Sequence, residues 1–347
     1  MASEKPTLRD VAKAAGVAES TASRALAGYG QLAPATRQRI QDAADRLGYA
    51  HKSRQSVASA ARRGVIGVVV AALHNSFYPF LVDRLHNELD DLGFDMVLII
   101  DEITRDRAGR KLRFLTDQLD GVITTTAAIG SPMVDFLNER RMPTVLAIRS
   151  NMKGDVDVVE SDNYAAGVDA LRHLAGLGHS KIGFLMGPMS TSTSYGRLEG
   201  AKSVMALEQV PFREDFLVTT EFTHEGGYSG FVRMMRQEDR PTALFCANDV
   251  IAIGAMDAAR KMGISVPEDV SIIGVDDIPM ASWSMLSLTT VRQPIGEIGS
   301  MAAKLIANRV SGQSDGGIEH VILPTSLVQR STTAQPKTHD HSSNARR

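Results

Sequence analysis

Near the start of the chain, the residues suited to directed hydrogen bonding cluster on one short stretch, Glu19, Ser20, Thr21, Ser23 and Arg24. All but Glu19 and Arg24 are small and polar, so a helix carrying them can approach base edges closely. The Arg24 guanidinium can donate two hydrogen bonds to the edge of a guanine. Thr7, Thr36, Arg37 and Tyr49 flank this stretch and are suited to holding phosphate oxygens. Glu19 is the exception, because a carboxylate repels phosphate. It either accepts from a cytosine amine or complements a helix N-terminus.

A second set of candidates lies far downstream, each just after a short apolar run. Phe77 and Tyr78 follow VIGVVVAAL, Arg149 follows PTVLAI, and Thr191, Thr193 and Arg197 follow KIGFLMG. Phe222 follows FLVTTE, Asn248 and Asp249 follow TALFCA, and Asp276 and Asp277 close VSIIGVDD, with Trp283 just beyond. Aromatic faces stack on sugar rings or bases, a fixed guanidinium holds hydroxyls, carboxylate or phosphate in a fork, and carboxylates accept from vicinal hydroxyls. Such a set describes a small-molecule pocket.

The elements that position the first set are helices. In TLRDVAKAAG, Leu8, Val11, Ala12 and Ala15 fall on one helical face, Thr7 stands at the N-cap and Gly16 ends the helix. A second helix begins near Ala18 or Glu19 with Val17, Ala22 and Leu26 inward, and PATRQRIQDAADRLGY gives a third through Ile40, Ala44 and Leu47. Helix, glycine turn and polar-faced helix make a helix-turn-helix, whose second helix enters the major groove. Leu8 and Thr21 complete the DNA-facing set.

From Val65 the texture changes. Eight apolar runs, VIGVVVAAL, FDMVLII, GVITTT, PTVLAI, KIGFLMG, FLVTTE, TALFCAND and VSIIGVD, alternate with helical patterns such as FLVDRLHNELDDLG. Strands alternating with helices form parallel sheets covered on both faces. The fold class is α/β: a small all-helical head followed by a body of two doubly wound parallel lobes. In such sheets ligands bind beyond the carboxyl ends of strands, where the second candidate set lies. The expected domains are a head at 1–50, a linker at 51–64, a body at 65–332 and a disordered tail at 333–347.

Charge divides the chain in the same way. Residues 1–63 hold eleven Lys/Arg against five Asp/Glu, whereas the whole chain is at −2. A basic head on an acidic body points to a polyanion as the head's partner. No run reaches the roughly 18 apolar residues of a membrane span, and MASEKPTLRD lacks the apolar core of an export signal, so a cytoplasmic protein without membrane contact is expected. One cysteine, Cys246, and nine histidines without an HExxH spacing give no metal site. No Walker loop or GxSxG elbow is present and no GxGxxG follows the first body strand, so neither catalysis nor a cofactor is expected.

LRDVAKAAGVAESTASRAL, the TR of PATRQRI and LGY at Leu47–Tyr49 resemble the head of the lactose-repressor (LacI/GalR) family. Further echoes follow in order: GHSKIGFLMG, GRLEG, RPTALFCANDVIAIGAM, VPEDVSIIGVDD and LTTVRQP. The resemblance covers residues 6 to about 332. It implies a body similar to periplasmic sugar-binding proteins and a homodimer, or a tetramer, reading a pseudo-palindromic double-stranded operator. It also implies a small-molecule effector that controls DNA affinity, with repression as the family default. A solute-binding protein without a DNA role is the alternative that the body alone would fit.

The resemblance further implies that Phe77, Tyr78, Asn248 and Asp276 line the effector cleft and that Arg197 contacts the ligand. It implies a hinge helix in the minor groove that wedges open the central base step with an apolar side chain. The wedge position falls on Ala58, beside Val57, and His51 replaces the usual proline, so the kink is expected to be weakened. Where many relatives carry an aspartate, this chain has Ile148, followed by Arg149. A lost carboxylate beside an arginine suits a negatively charged ligand.

Overall fold

The computed structural model describes residues 7–26, 34–47, 63–71, 73, 75–100, 108–314 and 316–337, which fall within two compact units, Met1–Arg63 and Gly64–Arg347. Tyr49, Val57 and Ala58, most of the expected linker and residues 338–347 lie outside the described residues, as do the side chains of Ser20, Ser23, Arg24 and Arg37.

The head contains α1 (Leu8–Ala15), α2 (Glu19–Leu26) and α3 (Pro34–Leu47). Thr7 starts α1: its backbone N–H and its hydroxyl both donate to Asp10 Oδ2, at 2.8 and 2.6 Å. These bonds hold the Asp10 carboxyl below its ordinary pKa. Gly16 ends the helix at φ 63°, a left-handed conformation that glycine adopts without penalty, and the next N–H, of Val17, returns to the Ala12 carbonyl. Val11 and Ile40 are fully buried among Ala12, Ala15, Ala22, Ala25, Ala43 and Ala44. This is a small core, in which each large side chain contributes about 1.5–3 kcal/mol. Leu47, expected inside, is 41% exposed because it is the last residue of α3, beyond the reach of the other two helices.

Among the described residues the body has two six-stranded sheets. The first contains β1 (Val65–Val70), β2 (Asp95–Ile100), β3 (Gly121–Thr124), β4 (Thr144–Ala147), β5 (Asp157–Ser161) and β11 (His320–Leu323), in the order β11-β5-β4-β3-β1-β2. The second contains β6 (Ile182–Met186), β7 (Leu217–Thr219), β8 (Ala243–Cys246), β9 (Ser271–Asp276), β10 (Thr289–Arg292) and β12 (Ser326–Val328), in the order β12-β10-β9-β8-β6-β7. All pairings are parallel except that of β12 with β10, which is antiparallel. Helices follow the strands: α4 (Phe77–Asp91), α5 (Ala108–Leu115) and α6 (Pro132–Glu139) in the first lobe; α7 (Asn163–Gly176), α8 (Ser192–Leu207), α9 (His224–Met235) and α10 (Asp249–Met262) in the second. Helix α11 (Ile295–Ser311) returns to the first lobe and packs on α4, β4 and β5. The chain therefore crosses between lobes three times, after Ser161, between Arg292 and Ile295, and between Leu323 and Ser326.

The eight apolar runs all form strands. Four further strands, β5, β10, β11 and β12, lack that signal. β5 buries Asp157 and Glu160, polar residues that partners distant in sequence satisfy. Arg309 grips Asp157 through Nε at 2.6 Å and Nη2 at 2.7 Å, and His320 lies 2.9 Å from Glu160.

The expected disordered tail requires correction at its start, since residues 333–337 are folded onto the second lobe. Thr332 exchanges backbone and hydroxyl bonds with Ile272, and the Ala334 carbonyl meets His179 Nε2 at 2.9 Å. Thr332, satisfied by strand backbone, and Thr333, satisfied by His173 and the Thr289 hydroxyl, explain why a polar segment stays docked.

Cys246 on β8 is fully buried, and burial pushes its thiol pKa up. The native chain is expected to resist a disulfide thiol reagent until it unfolds; a stoichiometric reaction in the absence of denaturant would contradict this placement.

Candidate effector cleft and DNA-binding head

A cleft between the lobes gathers side chains from the carboxyl ends of strands in both sheets. Asn75, Phe77, Tyr78, Ile148 and Arg149 come from the first lobe; Thr193, Arg197, Phe222, Asn248, Asp276 and Gln293 come from the second lobe and its crossing. The space left among them is about 30 Å³, room for water rather than a sugar ring. Hydrogen bonds from Ile129 N–H to the Ser190 carbonyl at 2.8 Å and from Ser150 N–H to Ser192 Oγ at 2.9 Å tie the lobes together beside it.

The first-lobe wall forms where β1 runs into α4. Asn75 Oδ1 accepts from the Phe77 N–H at 3.0 Å and fixes the helix entry. The rings of Phe77 and Tyr78 pack edge to face, 5.6 Å apart, and both are buried. At the end of β4, Ile148 takes φ 75°, which is strained for a β-branched residue. Its N–H holds the Val159 carbonyl at 2.8 Å, and the bend brings Arg149 to the cleft. Strain also marks the end of β9, where Asp276 and Asp277 have φ of 133° and 56°.

Arg197, fully buried on α8, donates from Nε to Asn163 Oδ1 at 3.0 Å and from Nη1 to the Ala247 carbonyl at 2.5 Å. Asp276 Oδ1 stands 4.0 Å from the same Nη1 and accepts from Gln293 Nε2 at 2.6 Å. Burial outweighs their attraction: it lowers the Arg197 pKa and raises that of Asp276 well above the usual carboxylate range, with Asp249 adding to the rise. Arg149 is also buried, with its Cζ 5.2 Å from the centre of the Phe222 ring, and its Nε and Nη1 have no hydrogen-bond partner. Phe222 in turn lies flush against Gly187, where an added Cβ would fall 2.3 Å from the ring.

Of the residues expected in this pocket, Phe77, Tyr78, Arg149, Thr193, Arg197, Phe222, Asn248 and Asp276 line one cavity. Thr191 does not line it; its hydroxyl accepts from the Ser194 N–H and caps α8, with Thr193 Oγ1 donating to it at 3.2 Å. Asn248 has a structural duty as well, since Oδ1 caps α10 through the Ile251 N–H at 2.9 Å. Trp283 is 53% exposed and absent from the lining. Asp249 and Asp277 brace the walls instead: Asp249 accepts from Thr290 Oγ1 and the Ile278 N–H, and Asp277 pairs with Arg292 and Arg330. Asn75, Ile148 and Gln293 were not anticipated. Each follows a strand end, but the strand before Gln293 is one of those without an apolar run.

In the head, α2 begins at Glu19, which is exposed, as is Thr7; Leu8, Thr21 and Thr36 are half-buried. Among the described residues no group of His, Cys, Asp and Glu is arranged to hold a metal, and no helix is long and apolar enough to cross a membrane.

Two family models match: bacterial regulatory proteins of the lacI family over residues 7–52, and a periplasmic binding protein-like domain over residues 171–333. The HTH-type transcriptional regulator DegA of Bacillus subtilis is 31% identical, over 95% of this chain and 98% of its own. A solved transcriptional regulator CelR–cellobiose complex is 27% identical with a TM-score of 0.73, covering 94% of this chain and 99% of that one. A ribose-bound regulator from Enterococcus faecium is 29% identical with a TM-score of 0.70, covering 79% and 100%. The helix-turn-helix head, the two parallel-sheet lobes and a relative matched along nearly its whole length give one conclusion: the chain belongs to the lacI family of bacterial regulatory proteins, transcriptional regulators with a DNA-binding head and an effector-binding body.

Proposed function

We propose that this chain is a cytoplasmic, non-catalytic repressor that binds a pseudo-palindromic operator as a homodimer and is controlled by a small molecule held between its lobes. The observation that carries the reading is the two-sided lining of the cleft, with Arg149, Phe77 and Tyr78 on one lobe and Arg197, Phe222 and Asp276 on the other. A ligand that touches both sides favours closed lobes over open ones, and only such a differential contact can shift a conformational equilibrium. The three crossings between lobes supply the hinge. Cellobiose and ribose in the solved relatives support a sugar, sugar acid or nucleoside as the effector. No observation favours the solute-binding alternative.

The domain limits follow as proposals: head 1–50, hinge 51–64, and a body from 65 extended to 337 by the contacts of Ala334 and Lys337. Thr7, Thr36, Arg37 and Tyr49 position the head on phosphates, Ser20, Thr21, Ser23 and Arg24 read the bases beside Leu8, and Glu19 either accepts from a cytosine amine or complements the N-terminus of α2. Val57 and Ala58 form a weakened wedge.

Selecting fragments from genomic DNA with the purified chain tests this reading; recovery of random sequence would defeat it. On a recovered fragment, Arg24→Ala is expected to cost about 1–3 kcal/mol at one base position and leave affinity for random duplex nearly unchanged. Equal losses on both duplexes would reduce Arg24 to a phosphate contact.

A further inference from the structure

Two polar groups in the cleft lack a partner. Arg149, 4% exposed, has unpaired donors at Nε and Nη1, and Gln293 has an unpaired acceptor at Oε1. Both residues line the cavity. Elsewhere the buried charges are satisfied: Arg197 by Asn163 and Ala247, Asp276 by Gln293, Asp249 by Thr290 and the Ile278 N–H. A buried guanidinium without a counterion is costly, and such groups are ordinarily paired. Among the described residues Asp276 is the only carboxylate in the lining, and it is already engaged while burial favours its neutral form. The described lining thus presents two guanidinium groups and no free negative charge.

The fold holds Arg149 in place without neutralising it. The strained turn at Ile148 fixes its backbone, the Ser150 N–H is bound by Ser192 Oγ, and the Phe222 ring packs against the guanidinium. A ring face attracts the cation but takes none of its in-plane hydrogen bonds. Nε and Nη1 lie on different edges of the guanidinium, and each leaves a charge-assisted donor open to one carboxylate or phosphate oxygen. The acceptor at Gln293 calls for a donor on the same ligand, which a hydroxyl supplies.

We propose that the effector is a small hydroxylated anion, a sugar acid or sugar phosphate, whose anionic group binds Arg149 while a hydroxyl donates to Gln293. This rests on the reading of the cleft as the effector site and specifies its ligand class. Because the cavity is water-sized, the lobes open to admit such a molecule and close upon it.

The test is thermal unfolding of the full chain at matched ionic strength with D-gluconate, D-glucose 6-phosphate, inorganic phosphate or D-glucose. At least one of gluconate and glucose 6-phosphate is expected to raise the unfolding temperature well beyond D-glucose, and the better of the two assigns carboxylate or phosphate. Arg149→Met is expected to weaken that ligand roughly tenfold to a hundredfold, the worth of a charge-assisted hydrogen bond. Arg149→Lys keeps the charge but not the fork and is expected to fall between, a comparison that remains if the methionine variant does not fold. Anions no more stabilising than D-glucose, or a response unchanged in both variants, would overturn the proposal. Fragment selection is independent of the outcome, so a response to neutral sugars alone removes the anionic ligand and leaves the regulator reading standing.

Discussion

Alanine at Gly200 is expected to lower the unfolding temperature by roughly 6–12 °C, the consequence of about 3 kcal/mol of overpacking in a domain of this size. Helices α7 and α8 cross through a reciprocal pair of glycines. A Cβ on Gly200 would fall 2.0 Å from the Tyr164 carbonyl oxygen, and one on Gly167 would fall 2.0 Å from the Arg197 carbonyl oxygen. Both obstacles are backbone, which cannot rotate away as a side chain can, so the helices must separate. Separation displaces α8, which carries Thr193 and Arg197 into the cleft, and the variant should lose effector affinity along with stability. Gly176→Ala is the control: it stands on α7 with open space around it and is expected to be neutral or slightly stabilising. A Gly200→Ala chain that melts with the wild type would show that the crossing is looser than drawn.

Those glycines illustrate what the sequence conceals. Continuous apolar runs made eight strands legible because a parallel strand covered on both faces must be apolar throughout. It failed at β5 and β10, where polar residues are buried by choice of partner. Asp157 is inside because Arg309 reaches it from 152 residues away, and Thr290 because Asp249 takes its hydroxyl. No local pattern encodes such pairings. The cleft was legible for a related reason: most of its lining stands just beyond strands that an apolar run marks. Gln293 escaped because it follows an unrecognised strand. Trp283 stands farther from its strand, beyond the turn at Pro279–Ser282, and it faces solvent. In the head, spacing around Gly16 marked the turn, whereas the exposure of Leu47 depends on where its neighbours end.

Arg197→Met is expected to abolish the effector response and to cost about 3 kcal/mol, a penalty that grows with pH. Methionine keeps much of the volume but leaves Asn163 Oδ1 and the Ala247 carbonyl without their donors and Asp276 without its nearby cation. Breaking a buried pair costs about 3–5 kcal/mol when the survivor stays charged. Asp276, whose neutral form burial already favours, is not left as a bare charge at neutral pH, which places the loss at the lower end. The pH dependence follows from linkage. In the wild type burial already raises the folded Asp276 pKa above its ordinary 3.8, against the opposing pull of Arg197. Removing that pull raises it further. A carboxyl with a raised folded pKa contributes its full share of stability below the unfolded value and loses it as pH rises through the folded one. The deficit of Arg197→Met relative to wild type should therefore stay constant up to the wild-type folded pKa of Asp276, about 8, and widen above it, as read from urea denaturation between pH 5 and 10. Adding Asp276→Asn should flatten that widening, because the titrating group is gone while the missing donors remain missing. A deficit independent of pH, or one that Asp276→Asn leaves sloping, would place the coupling somewhere other than between these two side chains.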